Sequence, residues 1–137
     1  MKVAADTNVL VRYLTWDDVG QAREAADVLE GADTVFVSTV VLCEVVRVLK
    51  RAYGYKPPEI AAAIRGLIGS RTVETNRAAA ESGLRLLEAG GDFADGVILF
   101  DAEKARAQRL VTFDRAFADR AGPHTVLLLG GTPPPRP

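Results

Sequence analysis

Apolar positions along the chain alternate between short β-prone runs and longer stretches with helical spacing. Five short runs predict strands at residues 2–5, 34–37, 72–74, 110–112 and 125–128. Between these runs, apolar residues recur three and four positions apart, as an amphipathic helix requires. The alternation predicts an α/β fold in which a central parallel sheet of about five strands is flanked by helices through right-handed crossovers.

Helices are predicted over seven stretches by this spacing and by residues that favour helix ends. Residues 17–18 open one helix that Gly31 stops, Ser38 or Thr39 caps another, and Pro57 begins a third. Two apolar stripes expected to face inward are Leu42, Val45, Val46 and Leu49 on one helix, and Ala94, Val97, Ile98, Ala102 and Ala105 on a later one. Each helix therefore has one face to bury against the sheet.

Length and composition indicate an ordinary globular protein. The 137 residues, 48% hydrophobic and 26% charged, suit one domain over residues 1–129. Residues 130–137 are rich in proline and glycine, and we expect a disordered tail there. No apolar run reaches the roughly 18 residues of a membrane span, no signal-peptide pattern is present, and the single Cys43 cannot form an internal disulfide. These features lead us to expect a cytoplasmic protein.

Four acidic residues fall where the predicted elements meet. Asp6 follows the first strand and Asp114 the fourth, whereas Glu44 and Asp95 lie in the early turns of predicted helices. Taken singly, Asp6 and Asp114 are interpreted as helix N-caps, Asp95 as a favourable helix charge and Glu44 as a flank residue reaching water. Because parallel α/β sheets gather their sites at the carboxyl ends of strands, the four acids together predict one site at that edge.

The order and spacing of these residues resemble a known family. Residues 6–10 (DTNVL), Glu44, residues 92–95 (DFAD) and residues 110–114 (LVTFD) occur in that order. Over residues 2–128 the chain is similar to PIN-domain ribonucleases, most closely the VapC toxins of bacterial and archaeal toxin–antitoxin pairs. The resemblance implies a three-layer PIN-like fold and a metal-dependent endoribonuclease that hydrolyses RNA phosphodiester bonds. It also implies a cognate antitoxin protein as partner, and a homodimer.

Matched position by position, the resemblance implies roles for individual residues. The acidic quartet of the family, which supplies catalysis and the metal ligands, falls on Asp6, Glu44, Asp95 and Asp114. The supporting polar positions fall on Asn8, Asp92 and Thr112. Asp101 departs from the pattern, because a small apolar residue is usual there. We expect it to be either a bystander on the helix surface or an added charge near the site.

Clustered carboxylates indicate chemistry that uses a divalent cation. They repel one another, and one of them would hold a proton at neutral pH unless a cation were bound. Ligand sets made only of oxygen suit Mg²⁺ or Mn²⁺ rather than zinc, and such a metal can activate water for attack on a phosphodiester. His124 is the only histidine, which excludes a mechanism with paired histidines, and no glycine-rich phosphate loop is present.

RNA would have to approach this acidic site on a chain whose formal net charge is −1. Any contact with phosphates must therefore come from a local basic patch or a metal. A candidate RNA-binding rim is predicted from basic residues that follow the acids in sequence, namely Arg12, Arg47, Lys50 and Arg51. The alternative interpretation of these side chains is a solvated helix face.

Two other functions stay open at this point. An inactive PIN-like module could bind RNA or protein, although the intact acidic quartet argues against it. A phosphoryl-transfer or receiver domain would need a second aspartate two residues after Asp6 and a lysine late in the chain. The residue two positions after Asp6 is Asn8, and no lysine follows Lys104. Both facts argue against a phosphoryl-transfer or receiver domain.

The helices over residues 42–49 and 60–68 carry more apolar positions than a small domain needs inside. We therefore expect these helices near the interface of a two-fold dimer. This expectation from the residues agrees with the homodimer that the resemblance implies.

Overall fold

Seven helices and five strands alternate along residues 1–130, the part of the chain that the computed structural model describes. The chain divides into two units, Met1–Glu81 and the part from Ser82 onward. Apart from Gly130, the predicted disordered tail falls outside the described residues. Across residues 1–130, no helix combines the length and apolar character needed to cross a lipid bilayer.

The first unit is built on a three-stranded parallel sheet. Strand β1 (Lys2–Ala4) pairs with β2 (Thr34–Phe36), which pairs with β3 (Val73–Glu74). Four helices accompany the sheet, namely α1 (Thr7–Thr15), α2 (Val19–Gly31), α3 (Thr39–Arg51) and α4 (Pro57–Ile68). Since the strands are parallel, α1 after β1 and α3 after β2 begin at the same edge of this sheet.

Side-chain caps start these helices at the residues that local sequence favours. Asp18 and Ser38 each accept a hydrogen bond from the backbone N–H three residues further on, at 3.0 and 3.2 Å. Helix α4 begins with two prolines, and the Glu59 carboxylate accepts a hydrogen bond from the backbone N–H of Lys56 at 2.8 Å. These bonds satisfy N–H groups that have no partner within the helix.

The apolar stripes of α3 and α4 are buried inside the first unit. Leu42, Val45 and Leu49 of α3 and Ile60 and Ile64 of α4 are completely inaccessible to solvent. Burial of each such side chain stabilises the fold by roughly 1.5–3 kcal/mol. These apolar residues, which we expected at a dimer interface, are used in this core and so give no support for that interface. The position of the two helices in a dimer stays a prediction.

The second unit is built on a two-stranded parallel sheet. Strand β4 (Leu110–Thr112) pairs with β5 (Val126–Leu128), with Leu110 opposite Val126 and Thr112 opposite Leu128. Helix α5 (Arg77–Glu88) begins in the first unit and ends in the second, and α6 (Phe93–Lys104) and α7 (Arg115–Ala121) follow. Phe117 and Ala118 are the buried residues of α7.

The α/β class with parallel strands is confirmed, and it matches the PIN-like fold that the sequence implied. All five predicted strands are present, within one or two residues of the expected bounds. They are hydrogen-bonded as a three-stranded sheet and a two-stranded sheet, where we expected one sheet of about five strands. Local patterning identifies strands, but the pairing of each strand is decided by tertiary contacts.

The inward face of α6 differs from the predicted stripe. The buried residues are Phe93, Gly96 and Val97, whereas Ile98 is 47% exposed and Ala105 lies exposed at the helix end. The Ser82 hydroxyl donates a hydrogen bond to the carbonyl oxygen of Gly96 at 2.7 Å.

Two glycines account for which residues of α6 are buried, because they let the backbones of α5 and α6 approach closely. A Cβ atom added to Gly96 would lie only 2.6 Å from the Cα atom of Gly83. A Cβ atom on Gly83 would in turn lie 2.7 Å from the ring of Phe93. The spacing of apolar residues does not predict that a glycine faces inward, because glycine has no side chain to count. Here Gly83 and Gly96 nevertheless form the contact between the helices.

We expect Gly96→Ala to destabilise the protein by roughly 1–3 kcal/mol, because the new methyl group overlaps backbone that has no room to move. The matched control is Gly66→Ala on α4, where an added Cβ atom meets nothing within 4 Å. That variant should gain about 0.5–1 kcal/mol from reduced backbone entropy of the unfolded chain. Urea unfolding midpoints measure both, and a Gly96→Ala protein as stable as its parent would contradict the close packing.

Candidate active site

Asp6 lies at the junction between β1 and α1. It is the N-cap of α1 in extended conformation, and its Oδ1 atom accepts a hydrogen bond from the backbone N–H of Thr7 at 2.8 Å. The N-cap interpretation of Asp6 therefore holds. The cap engages one carboxylate oxygen, so capping leaves the second oxygen for a ligand or substrate.

Glu44 is exposed on α3, between the buried residues Leu42 and Val45. Its Oε2 atom accepts a hydrogen bond from the Thr7 hydroxyl at 3.4 Å, across 37 residues of sequence. Because Thr7 is only 8% exposed, its hydroxyl is held by the packing of α1. Glu44 thus reaches water, as its flank interpretation required, and it also lies beside the residue that follows Asp6.

Thr7 is a candidate functional residue that sequence reasoning did not identify. Thr7 is the first residue of α1, and the N-cap before it is Asp6. The available signal was its position next to Asp6, at the edge where α1 and α3 both begin. Thr7 and Glu44 are 37 residues apart and lie on different helices. The spacing of residues along a single helix does not predict such a contact.

Asp92 and Asp95 lie at the start of α6. Asp92 is the N-cap, and its Oδ1 atom accepts a hydrogen bond from the backbone N–H of Ala94 at 3.4 Å. Asp95 is half-buried in the first turn of the helix, as predicted. The helix dipole favours a carboxylate there, since the N-terminal end carries partial positive charge.

Asp114 follows β4 and caps α7. Its Oδ1 atom accepts a hydrogen bond from the backbone N–H of Phe117 at 3.0 Å, so its N-cap interpretation also holds. The backbone N–H of Asp114 donates to the Thr112 hydroxyl at 3.0 Å. Thr112 therefore orients the turn that carries Asp114, which is consistent with its predicted supporting position.

The acids of the second unit repel one another. Partial burial raises the pKa of Asp95 above its usual value, and the negative charges of Asp92 and Asp114 raise it further. The positive charge of Arg120 opposes this effect only in part. The carboxylates of Asp92, Asp95 and Asp114 thus act on one another electrostatically, with an excess of negative charge.

Arg120 is a second residue that sequence reasoning did not identify. It lies in the last turn of α7, and its Cδ atom would be 3.1 Å from a Cβ atom placed on Gly91. The side chain therefore lies along the turn between α5 and α6, which brings its charge near Asp95. Nothing in the sequence distinguishes Arg120 from a solvated arginine at a helix end.

The donor chemistry of the acids fits a divalent cation. All candidate ligands are carboxylate oxygens, which suit Mg²⁺ or Mn²⁺. The pKa of Asp95 is raised by burial first and then by the negative charges of Asp92 and Asp114, and a cation would neutralise those charges. Within each unit, residues 1–130 contain no group of three or more acidic, histidine or cysteine side chains that is already spaced for a metal. The convergence of Asp6, Glu44, Asp95 and Asp114 on one ion stays a prediction.

The candidate basic rim is divided between two environments. The Nη1 atom of Arg12 donates to both carboxylate oxygens of Asp17, at 3.1 and 3.2 Å, and to the Tyr53 hydroxyl at 2.9 Å. These contacts raise the pKa of Arg12, chiefly through the charge of Asp17. The charge of Arg12 is therefore balanced by a network that joins α1 to the connection after α3.

The three basic residues of α3 are exposed. Arg47 lies three residues and Arg51 seven residues beyond Glu44, so both share its face of the helix. Lys50 lies six residues beyond Glu44 and points about 120° away from that face. Arg47 and Arg51 are consequently the better candidates for contact with a substrate bound beside Glu44.

Asp101 and His124 are both exposed residues of the second unit. Asp101 is exposed on α6, six residues beyond Asp95 and about 120° around the helix from it. His124 is exposed between α7 and β5. These positions agree with a bystander role for Asp101 on the helix surface.

Comparison with known proteins identifies the family. The model of the PIN domain family matches residues 3–123. Among solved structures, the chain is similar to VapC20 of Mycobacterium tuberculosis, described as a sarcin–ricin loop cleaving toxin, with 20% identity, a TM-score of 0.42, and coverage of 87% of this chain and 94% of that one. A search of curated protein sequences gave no significant match. Since the family model spans most of its length, the chain belongs to the PIN domain family.

Proposed function

We propose that this chain is a metal-dependent endoribonuclease that hydrolyses RNA phosphodiester bonds. PIN domains are typically nucleases that use divalent metal ions. The observation that carries the proposal is the environment of Asp95, where partial burial and then the negative charges of Asp92 and Asp114 raise its pKa. A cluster of carboxylates that lacks enough cationic neighbours is typical of a metal-binding site.

The proposed ligands of the ion are Asp6, Glu44, Asp95 and Asp114, and the ion is Mg²⁺ or Mn²⁺ because all these donors are oxygen. When bound, the metal supplies positive charge that stabilises the developing charge on the phosphate. The chain's own residues position the acids. The Thr7 hydroxyl holds Glu44, and the Thr112 hydroxyl holds the backbone of Asp114.

Helix N-termini and arginines complete the proposed mechanism. Asp6 and Asp114 accept backbone hydrogen bonds as N-caps, which orients their carboxylates. Arg47 and Arg51 are exposed on the face of α3 that carries Glu44, where they would bind the phosphates flanking the scissile bond. Asp17 and Tyr53 already bind Arg12, so contact of Arg12 with a phosphate would require this network to open.

We further propose that the enzyme is the toxin of a type II toxin–antitoxin pair, with a cognate antitoxin as partner and a homodimer as its assembly. The support for the toxin assignment is the ordered set of motifs that resembles VapC sequences, from Asp6 to Asp114. The resemblance to VapC sequences is also the only support for the homodimer. The apolar stripes of α3 and α4, which we expected at its interface, are buried within the chain. The alternative is an inactive PIN-like module that binds RNA or protein.

Asp6→Asn should lower the rate of RNA cleavage roughly a thousandfold, because several kcal/mol of transition-state stabilisation depend on the metal. Asparagine caps helices about as well as aspartate, so the variant should keep α1 and a melting temperature close to that of the parent. Cleavage of total and transfer RNA, with Mg²⁺, Mn²⁺ or EDTA, measures the effect. Expression in a bacterial host should arrest growth for the parent and not for the variant.

Asp101→Asn is the matched control for loss of one carboxylate, and it should keep the parental rate. An Asp6→Asn protein that cuts RNA as fast as its parent would exclude the acidic site as the catalyst. The inactive binding module would then be the better description of this chain.

Mg²⁺ or Mn²⁺ at millimolar concentration should raise the melting temperature of the parent by mass action on the folded state. Asp95→Asn should abolish this shift. Without metal, the same variant should be more stable than the parent at neutral pH, because the raised pKa of Asp95 means that its ionised form destabilises the fold.

The pH dependence of this stability difference has a defined sign. The unfolded chain releases the Asp95 proton near pH 3.9, whereas the folded chain holds it to higher pH. The parent therefore loses stability relative to Asp95→Asn as pH rises through this window, and the two should converge below it. Calorimetry in EDTA measures both curves, and a difference that does not change with pH would contradict the assignment.

Thr7→Val should lower the cleavage rate roughly tenfold, since a hydrogen bond to a charged group contributes about 1.5–3 kcal/mol and the 3.4 Å distance places this bond at the lower end. Thr7→Ser keeps the hydroxyl and should restore most of the rate. In a Glu44→Gln background, Thr7→Val should have little further effect, because the two residues act together. Full additivity of the two changes would show that Thr7 does not act through Glu44.

A further inference from the structure

An open recess of about 240 Å³ lies between α1 and α2 in the first unit. Asn8, Gln21 and Glu24 provide its polar lining, and Val9, Ala25 and Val28 its apolar lining. This volume is below the roughly 300–1,000 Å³ of sites for drug-sized ligands. The recess therefore suits one small group rather than a large cofactor.

The polar side chains of the recess have donor and acceptor groups that are available to a ligand. Among residues 1–130, the side chains of Asn8 and Glu24 have no hydrogen bond or ion pair. The Oε1 atom of Gln21 accepts a hydrogen bond from Nε of Arg12 at 2.7 Å. Because its oxygen is occupied by a fixed arginine, Gln21 presents its amide N–H groups as donors.

The apolar lining selects a ligand with a flat apolar face. Val28 is 51% exposed, and Val9 beside it is half-buried. A ring system could lie against these side chains while its edge meets the amides and the carboxylate. A phosphate would not fit here, because Glu24 is negative and the charge of Arg12 is already balanced by Asp17.

We propose that this recess binds one unpaired nucleobase of the RNA substrate, with guanine preferred. The inference rests on the proposed ribonuclease function. Among the four bases, guanine alone presents two adjacent N–H donors on its Watson–Crick edge, which a carboxylate such as Glu24 accepts together. The amides of Asn8 and Gln21 supply donors for the guanine acceptors O6 and N7.

The position of the recess connects it to the candidate site. Asn8 is two residues after Asp6, in the first turn of α1. A base held there would belong to a nucleotide close to the scissile phosphate. The recess would thus determine where the enzyme cuts a single-stranded segment.

The test compares binding of the four nucleoside monophosphates to the whole chain by NMR titration, since they carry the same charge and differ in the base. Guanosine monophosphate should bind at least tenfold more tightly than the other three. Glu24→Gln should remove most of this preference, because the amide has only one acceptor oxygen and its NH₂ group would face the second N–H donor of guanine. Asp27→Asn, an exposed aspartate on the same helix outside the recess, removes the same charge and should leave the preference unchanged.

Failure of this proposal can be distinguished from failure of the proposed function. Equal affinities for the four nucleotides, no detectable binding, or the same loss in Glu24→Gln and Asp27→Asn would each overturn the recess assignment. Cleavage that persists in those cases would leave the ribonuclease proposal intact. Selective binding of guanosine monophosphate in Asp6→Asn, which should not cleave RNA, would support the recess independently of activity.

Discussion

Backbone N–H groups at the start of a helix have no partner within that helix, and in this chain carboxylates satisfy several of them. Asp6 caps α1, Asp92 caps α6 and Asp114 caps α7. A capping carboxylate is oriented through the oxygen that accepts the backbone hydrogen bond. The groups on which the proposed chemistry depends are therefore held by a requirement of folding, so the capping and catalytic interpretations of Asp6 and Asp114 are compatible.

The two kinds of charged cluster in this chain have different physical character. Arg12, Asp17 and Tyr53 form a balanced network, in which the hydrogen bond from Tyr53 is the largest effect lowering the pKa of Asp17. Around Asp95 the charges are unbalanced, and burial with two neighbouring acids raises its pKa. In the first arrangement the opposite charges offset each other, whereas in the second the negative charge is only partly offset by Arg120. This contrast separates the structural cluster from the functional candidate.

The balanced network also shapes the surface beside the candidate site. Arg12 binds Gln21 as well as Asp17 and Tyr53, so it fixes α1 against α2. The orientation of the Gln21 amide in the recess follows from this contact. Arg12, which the sequence suggested for contact with RNA phosphates, thus also positions neighbouring side chains.

The sequence by itself determined the order and type of the elements and most of their ends. Strand β4 has the bounds that its apolar run predicted, and α4 begins at the predicted proline. The placement of Asp6, Asp95 and Asp114 at element ends also followed from the sequence. These features depend on caps, turns and periodicity within a few residues, which is why a linear pattern contains them.

Only the tertiary structure decided which surfaces meet. It divided the strands between two sheets and turned Gly96 of α6 inward, where the absence of a side chain permits contact with Gly83. It also brought Thr7 to Glu44 and the charge of Arg120 to Asp95. These contacts join residues distant in sequence or involve groups without apolar area. Hydrophobic spacing therefore does not predict them, because it reports only how much apolar surface one element has to bury.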